Sequence, residues 1–281
     1  MKKIHVHVIE MEVACLCIEA AYDLPEDTTA AISGALKKEG SERGKNFLRQ
    51  YVENARIAKK ERIPICQDTG VAVFFVELGN DVRIVGGAIC DAIAKGVERG
   101  YKEGFLRMSI VSDPLFERKN TRTNTPPIIH LSVTNGDSLV IKMAMKGGGS
   151  ENMSALAMLK PSDGVNGVMD FTVKTVVKAG GNPCPPTIVG VGIGGNFEMA
   201  AILSKKALFR KIGEHNSDPK YARLEEEILE RINASGVGPQ GLGGDTTSFA
   251  VHIETHPCHI ASLPVAVNID CHASRHKKVI L

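Results

Sequence analysis

The sequence has no tryptophan, and only 5% of its residues are aromatic. That composition cannot build the rows of exposed rings on which single-stranded nucleic acid stacks. It has no stretch of about 18 apolar residues, so no membrane-spanning helix is expected. No charge of one sign dominates: 34 Lys and Arg stand against 32 Asp and Glu, a formal net charge of +2. A polyanion binder needs a basic stripe, whereas the densest basic cluster here is the short tail Arg275, His276, Lys277, Lys278. Neither a nucleic-acid nor a membrane partner is expected. Met1-Lys2-Lys3 is not followed by a clean apolar segment, because Glu10, Glu12 and Glu19 interrupt it. No secretion signal is read, and the cytoplasm is the expected compartment. Cys-x-x-Cys is missing too, which removes zinc ribbons and ferredoxin-type runs.

What is present is 281 residues, 43% of them hydrophobic, enough for a substantial core. The first 62 residues read as helical. Pro25 opens one helix with Glu26 and Asp27 in its first turn. Arg43 to Arg62 reads as another, with Phe47, Tyr51, Ala55 and Ala58 as its packed face. The apolar run Val71–Val76 predicts a buried strand, with Val82–Val85 as its hairpin partner. Gly86–Glu103 predicts a helix, and Ser112–Pro127 a polar connection. Ile128–Val133 and Leu139–Met145 predict strands flanking the turn Asn135-Gly136-Asp137. Helices follow at Glu151–Leu159 and Val168–Lys178, a strand at Thr187–Val191, and helices at Asn196–Lys211 and Pro219–Asn233. Phe249–Glu254 and Pro264–Ile269 are the last expected strands. Hairpin strands mixed with helix pairs predict an α+β fold, a single domain over 1–281 of helices packed on mixed or antiparallel sheets.

Seven cysteines, an odd number, do not form a disulfide framework. Cys15, Cys17 and Cys90 fall within apolar stretches and read as structural, and Cys258 between His256 and His259 is ambiguous. Three others stand at the ends of elements, where functional groups are displayed. Cys66 lies in Pro64-Ile-Cys-Gln-Asp-Thr-Gly70. Cys184 lies in Asn182-Pro-Cys-Pro-Pro186, where prolines forbid a helix. Cys271 lies in Asp270-Cys-His-Ala-Ser-Arg275. Thiolates this far apart in the chain can converge on one iron–sulfur cluster or remain separate buried thiols.

Lys146-Gly-Gly-Gly-Ser-Glu-Asn152 leads three glycines into an expected helix start, with Ser150 as its N-cap and, by expectation, exposed amides that would suit an anion such as a carboxylate or phosphate. Gly190-Val-Gly-Ile-Gly-Gly195 matches Gly-x-Gly-x-x-Gly after a strand, with Glu214 about 20 residues on, so nicotinamide-dinucleotide binding is a rival reading. No second parallel strand is expected after the following helix, which counts against it. His252, His256 and His259 fall within eight residues and suggest either zinc or a solvated face.

Cys-Gln-Asp-Thr-Gly at 66–70, Lys-Gly-Gly-Gly-Ser-Glu-Asn at 146–152, Pro-Cys-Pro-Pro at 183–186 and His-Ile-Ala-Ser-Leu-Pro-Val-Ala-Val at 259–267 occur together and in that order. With them, from about residue 10 to 276, the chain resembles the α subunit of class I, iron–sulfur fumarate hydratase and the related L(+)-tartrate dehydratase α subunit. The resemblance implies a [4Fe–4S] cluster held by Cys66, Cys184 and Cys271, with one iron left open as a Lewis acid. It implies reversible dehydration of (S)-malate to fumarate, or of tartrate in the alternative. By position it makes Asp68 the proton-handling residue and puts Gln67, Arg107, Gly149 and His259 at the substrate. His272 departs from the aromatic residue common after the third cysteine. The chain ends soon after Cys271, where single-chain relatives continue. The resemblance therefore implies a separate β subunit that completes the active site, and a higher oligomer of αβ pairs.

Overall fold

The structure is a computed structural model describing residues 1–281. In chain order its elements are β1 (Lys2–His5), α1 (Val6–Tyr22), α2 (Glu26–Lys38), α3 (Glu42–Glu61), β2 (Val71–Gly79), β3 (Val82–Val85), α4 (Ile89–Glu103), β4 (Ile128–Thr134), β5 (Leu139–Lys146), α5 (Gly148–Glu151), β6 (Ala155–Leu159), α6 (Gly164–Ala179), β7 (Thr187–Gly194), α7 (Phe197–Ala207), α8 (Pro219–Asn233), β8 (Ser248–His256), β9 (Leu263–Asp270) and β10 (His276–Ile280). The fold is α+β, as expected. None of the helices is long and apolar enough to cross a membrane. The chain forms two compact units: unit 1 takes Met1–Pro25, Asn54–Gly148 and Arg275–Leu281, and unit 2 takes Glu26–Glu53 and Gly149–Ser274.

Unit 1 is built on a mixed sheet of order β10-β5-β2-β4. β2 pairs antiparallel with β5 and parallel with β4, so both of its edges are filled. This corrects two hairpin expectations. Val82–Val85 finds no free edge on β2 and pairs instead, in parallel, with β1, a strand inside the stretch expected to be helical. β4 and β5 do not pair with each other, because β2 lies between them. Their connecting turn crosses the end of β2, where the amides of Gly79, Asn80 and Asp81 donate to Ser138, Thr134 and Gly136. The strand β10 was not foreseen at all; it closes the other edge along β5. Over the sheet, α1 and α4 pack closely. A methyl group on Gly96 would come 2.6 Å from Val13 Cβ, so small residues set the helix separation. The core they share with the sheet includes Ile9, Val13, Ile93, Val97, Phe74 and Ile141, all buried. Cys17 lies in it too, and burial pushes its thiol up to about 12. Cys15 and Cys90, read as structural, are exposed.

Unit 2 is built on the sheet β6-β9-β7-β8. β7 is buried along its whole length. Its sequence alternates by face: Val189, Val191 and Ile193 join the core formed with Val168 and Val176 of α6 and Leu224, Ile228 and Ile232 of α8. Gly190 and Gly192 point the other way, where a methyl group would overlap the carbonyl oxygens of Ser204 and Ala200 in α7. This corrects the dinucleotide reading. The first two glycines lie inside the strand, paired with His252 and Glu254 of β8, and serve close strand–helix packing rather than a phosphate loop. The next two helices begin near where they were expected, at Asn196 and Pro219: Asn196 Oδ1 accepts from the Met199 amide, and Asp218 caps α8 ahead of Pro219. Glu151–Leu159 is not a helix. A single turn at α5 gives way to β6, whose Ala-Leu-Ala-Met-Leu pairs antiparallel with Leu263–Val267.

His252, read as possibly solvated, is 1% exposed, and its Nδ1 has no partner. It lies by the Arg210–Glu225–Glu254 ion network, in which the Ile253 amide also donates to Glu225. Burial first, and then the Arg210 charge, lower its pKa from 6.5 to about 4. The unfolded chain therefore takes up this proton before the folded one does.

Two predictions follow from this packing. Gly192→Ala should destabilise the chain by roughly 1–3 kcal/mol, the usual cost of overpacking, read as a lower Tm. An unchanged Tm would show that the strand and α7 do not meet as described. His252 should make stability fall as pH drops from about 6.5 to about 4, by about 3 kcal/mol in total. Urea unfolding at pH 7 and pH 4.5 reads this, and His252→Gln should flatten the loss by one proton's worth.

Candidate active site

Cys66 lies in unit 1, in the loop between α3 and β2 that starts at Ile63 and runs to Gly70. The loop is tied down from behind. Tyr101, fully buried on α4, donates to the Thr69 and Gly70 carbonyls at 2.7 and 3.2 Å. Burial pushes its hydroxyl well above the usual range, so it acts as a neutral donor. Asn124 Nδ2 also donates to Gly70 O, at 3.1 Å. With its carbonyls engaged there, the loop turns its other groups forward. The Asp68 amide points at Cys66 Sγ, 3.4 Å away, and Asp68 Oδ1 accepts from the Gly70 amide at 3.1 Å. Cys66 in turn donates to Gln67 Oε1 at 3.4 Å. Thr69 Oγ1 donates to the Arg107 carbonyl, which places the exposed Arg107 next to this loop. Gly147 leaves room beside it: a Cβ there would lie 3.1 Å from Asp68 Oδ2. Unit 1 thus brings Cys66, Gln67, Asp68 and Arg107 together.

Unit 2 brings together Cys184 and Cys271. The sheet register pairs Ile188 near the start of β7 with Asp270 at the end of β9, so the residues flanking those points share one end of the sheet. Cys184 adopts a positive φ of 54° between its prolines, and its amide donates to Gly181 O at 3.0 Å. Its carbonyl accepts from the His272 amide at 3.4 Å and from His272 Nδ1 at 2.9 Å. A carbonyl can only accept, so Nδ1 carries the hydrogen. The His272 ring stacks on Tyr51 with centroids 3.6 Å apart and planes at 11°. Tyr51 donates to Pro185 O at 3.2 Å. Burial, and after it the neighbouring Cys184 and Cys271 sulfurs, push the Tyr51 hydroxyl well above its usual range. His272 therefore supplies the flat ring expected after the third cysteine. Gly149 is adjacent: a Cβ there would meet Asn182 O at 3.5 Å. Ser150 is not an N-cap, since it lies inside the single turn of α5, and Glu151 pairs with Lys205 while accepting from Asn268.

His259 is not brought to Cys184 and Cys271. It sits on the exposed turn between β8 and β9, at the other end of the sheet, more than about 20 Å away by strand length. There it lines a mostly apolar pocket of about 390 Å³ with Cys258, Ile260, Val165, Val168 and Tyr221. His252 is buried in β8 and His256 is exposed at its end. Sequence reasoning missed Tyr51, Tyr101, Asn124 and Arg275. Tyr51 was visible only as part of a helix stripe, and the others carried no local signal.

Neither unit by itself gathers three metal-ligating side chains at one point. The donor chemistry of each part nevertheless fits thiolate ligation. Cys66, Cys184 and Cys271 form no disulfide and are half-buried, and a backbone N–H is aimed at Cys66 Sγ.

Comparison with known proteins puts the chain among the hydro-lyases, enzymes that add or remove water. Residues 10–280 match the model of the fumarate hydratase (Fumerase) family, and the chain belongs to that family. A Methanocaldococcus jannaschii chain provisionally named L(+)-tartrate dehydratase subunit alpha is 46% identical over 265 residues, 92% of each chain. L(+)-tartrate dehydratase subunit alpha of Escherichia coli strain UTI89 is 35% identical over 254 residues, 90% of this chain and 84% of the relative. That of strain K12 is 33% identical over 260 residues, 92% and 86% of the two.

The stacked ring gives a direct test of the Cys184 turn. His272→Phe keeps the stack and loses one hydrogen bond, so it should cost no more than about 1 kcal/mol. His272→Ala loses both and should cost about 1–3 kcal/mol, with faster alkylation of Cys184 in the metal-free chain. Equal alkylation rates in the two variants would remove the ring from this role.

Proposed function

We propose that this chain is the α subunit of a two-subunit hydro-lyase that reversibly dehydrates a 2-hydroxy dicarboxylate and holds a [4Fe–4S] cluster on Cys66, Cys184 and Cys271. The observation that supports it most is the loop at 66–70, where a free thiol, a carboxylate and a side-chain amide are presented by three consecutive residues held from behind. When bound, such a cluster supplies an open iron as a Lewis acid, so that hydroxide can leave without redox change.

The chain's own residues do the rest. Asp68 holds or moves the proton: Oδ1 is fixed by the Gly70 amide, and Oδ2 faces the bare backbone of Gly147. Arg107 is exposed beside the loop and offers a guanidinium fork to a substrate carboxylate. Gln67 orients the substrate by its amide, and Gly149 offers backbone next to the Cys184 turn. No step is assigned to His259. The family description favours (S)-malate and fumarate as substrate and product. A second reading, L(+)-tartrate, is favoured by the names of the relatives, and the words "subunit alpha" in those names support a β partner.

Anaerobic reconstitution should load about four irons per chain. Cys66→Ser, Cys184→Ser and Cys271→Ser should each abolish loading, while Cys15→Ser and Cys90→Ser should not. Mixed with its β subunit, the loaded chain should gain activity that it lacks alone, and the ratio of kcat/KM for malate and tartrate decides the substrate. Asp68→Asn should keep the iron and lose about 10²–10⁴ in kcat. Stoichiometric zinc, or iron that survives all three cysteine substitutions, would sink the proposal.

A further inference from the structure

We propose that Arg275 is a positioning residue for this reaction: its guanidinium grips the Asp68 carbonyl and so fixes the carboxylate and the amide of Asp68 in working geometry. This rests on the hydro-lyase reading of Asp68 given above. Arg275 belongs to unit 1, immediately before β10, and is 2% exposed. Its own carbonyl accepts from the Met145 amide at 3.0 Å, which anchors its backbone to β5. From there Nη1 donates to Asp68 O at 2.5 Å. Nη2 lies 3.4 Å from where a Cβ on Gly147 would stand, and Asp68 Oδ2 lies 3.1 Å from the same point. The guanidinium and the carboxylate thus pack against the same bare stretch of backbone.

The grip completes a pattern. Three consecutive carbonyls of the loop are each held by a buried side chain: that of Asp68 by Arg275, that of Thr69 by Tyr101, and that of Gly70 by Tyr101 and Asn124. Held at its carbonyl, the Thr69–Gly70 peptide presents the Gly70 amide on the other side, to Asp68 Oδ1, while the Asp68 amide, earlier in the loop, is aimed at Cys66 Sγ. Arg275 is the one of the three that acts on residue 68 itself. Packing alone does not explain it. Its Nε is buried with no hydrogen-bond partner, and a desolvated charge with an unused donor is a costly way to fill space that Met would fill. Its Nη1 is directed at the carbonyl of the proposed proton-handling residue.

The test compares wild type, Arg275→Lys and Arg275→Ala in the full chain. In the metal-free chain, hydrogen exchange of the Asp68 and Gly70 amides should be about tenfold or more faster in Arg275→Ala, with α4 and β5 unchanged. In the loaded enzyme with its β subunit, kcat should fall about 10–100-fold, as for a misplaced catalytic group, while KM moves less than about threefold. Millimolar guanidinium should restore part of the kcat of Arg275→Ala, and Arg275→Lys should fall between the two, since ammonium lacks the planar fork. Unchanged exchange at 68 and 70, or a loss that spreads over the whole unit and is not rescued by guanidinium, would make Arg275 merely structural. If Arg275→Ala fails to fold, the lysine variant is judged by the same readouts. If the wild-type enzyme holds no iron and has no hydro-lyase activity, the functional reading fails, and the exchange data alone decide whether Arg275 holds the loop.

Discussion

The register between β7 and β9 is the constraint on which unit 2 depends. Ile188 stands opposite Asp270, so the chain entering β7 and the chain leaving β9 meet at one end of the sheet. Cys184 and Cys271 sit on those two segments. A slip of one residue would turn Val189 and Val191 away from the core and drive Gly190 and Gly192 into it. The same alternation that packs α7 against glycine and α6 and α8 against valine therefore also sets where two of the three thiols are displayed. His272 then converts this coarse placement into a fine one by bonding twice to Cys184 O and stacking on Tyr51.

In unit 1 the equivalent constraint is a row of carbonyls. β2 is flanked on both edges, so the loop that feeds it at Gly70 has a fixed exit. Tyr101, Asn124 and Arg275 fix the rest by holding what the backbone cannot pair. Asp68 is left with its carbonyl, amide and Oδ1 all engaged. In the proton-handling role proposed for it, a group so defined loses little entropy in reaching its working position.

The parts legible in the sequence were those whose signal is local. Val71–Val76 and Pro264–Ile269 are apolar runs and proved to be strands; Asn196 and Pro219 were expected to open helices and do so. Prolines around Cys184 excluded a helix, and the chain turns there. What failed was pairing. Val82–Val85 follows β2 by a two-residue turn, yet no edge of β2 is free, a fact carried by residues 128–146. Ala155–Leu159 is rich in good helix formers, but β9 offers it an edge, and tertiary pairing outweighs propensity. Gly-x-Gly-x-x-Gly matched a motif whose glycines serve a loop, while here the first two serve a strand under a helix. The site roles of Tyr51, visible only as one of a packed helix face, and of Arg275 carried no local mark, since each works through partners more than a hundred residues away.

On the function proposed here, three thiols of this chain hold a cluster with one iron left open to substrate. Mössbauer spectra of the ⁵⁷Fe-loaded enzyme with its β subunit, taken before and after adding malate or tartrate, test it most directly. A single iron site should change its parameters on substrate addition while the others stay fixed. Spectra in which every iron is unaffected by either dicarboxylate, or in which no such cluster is present, would contradict it.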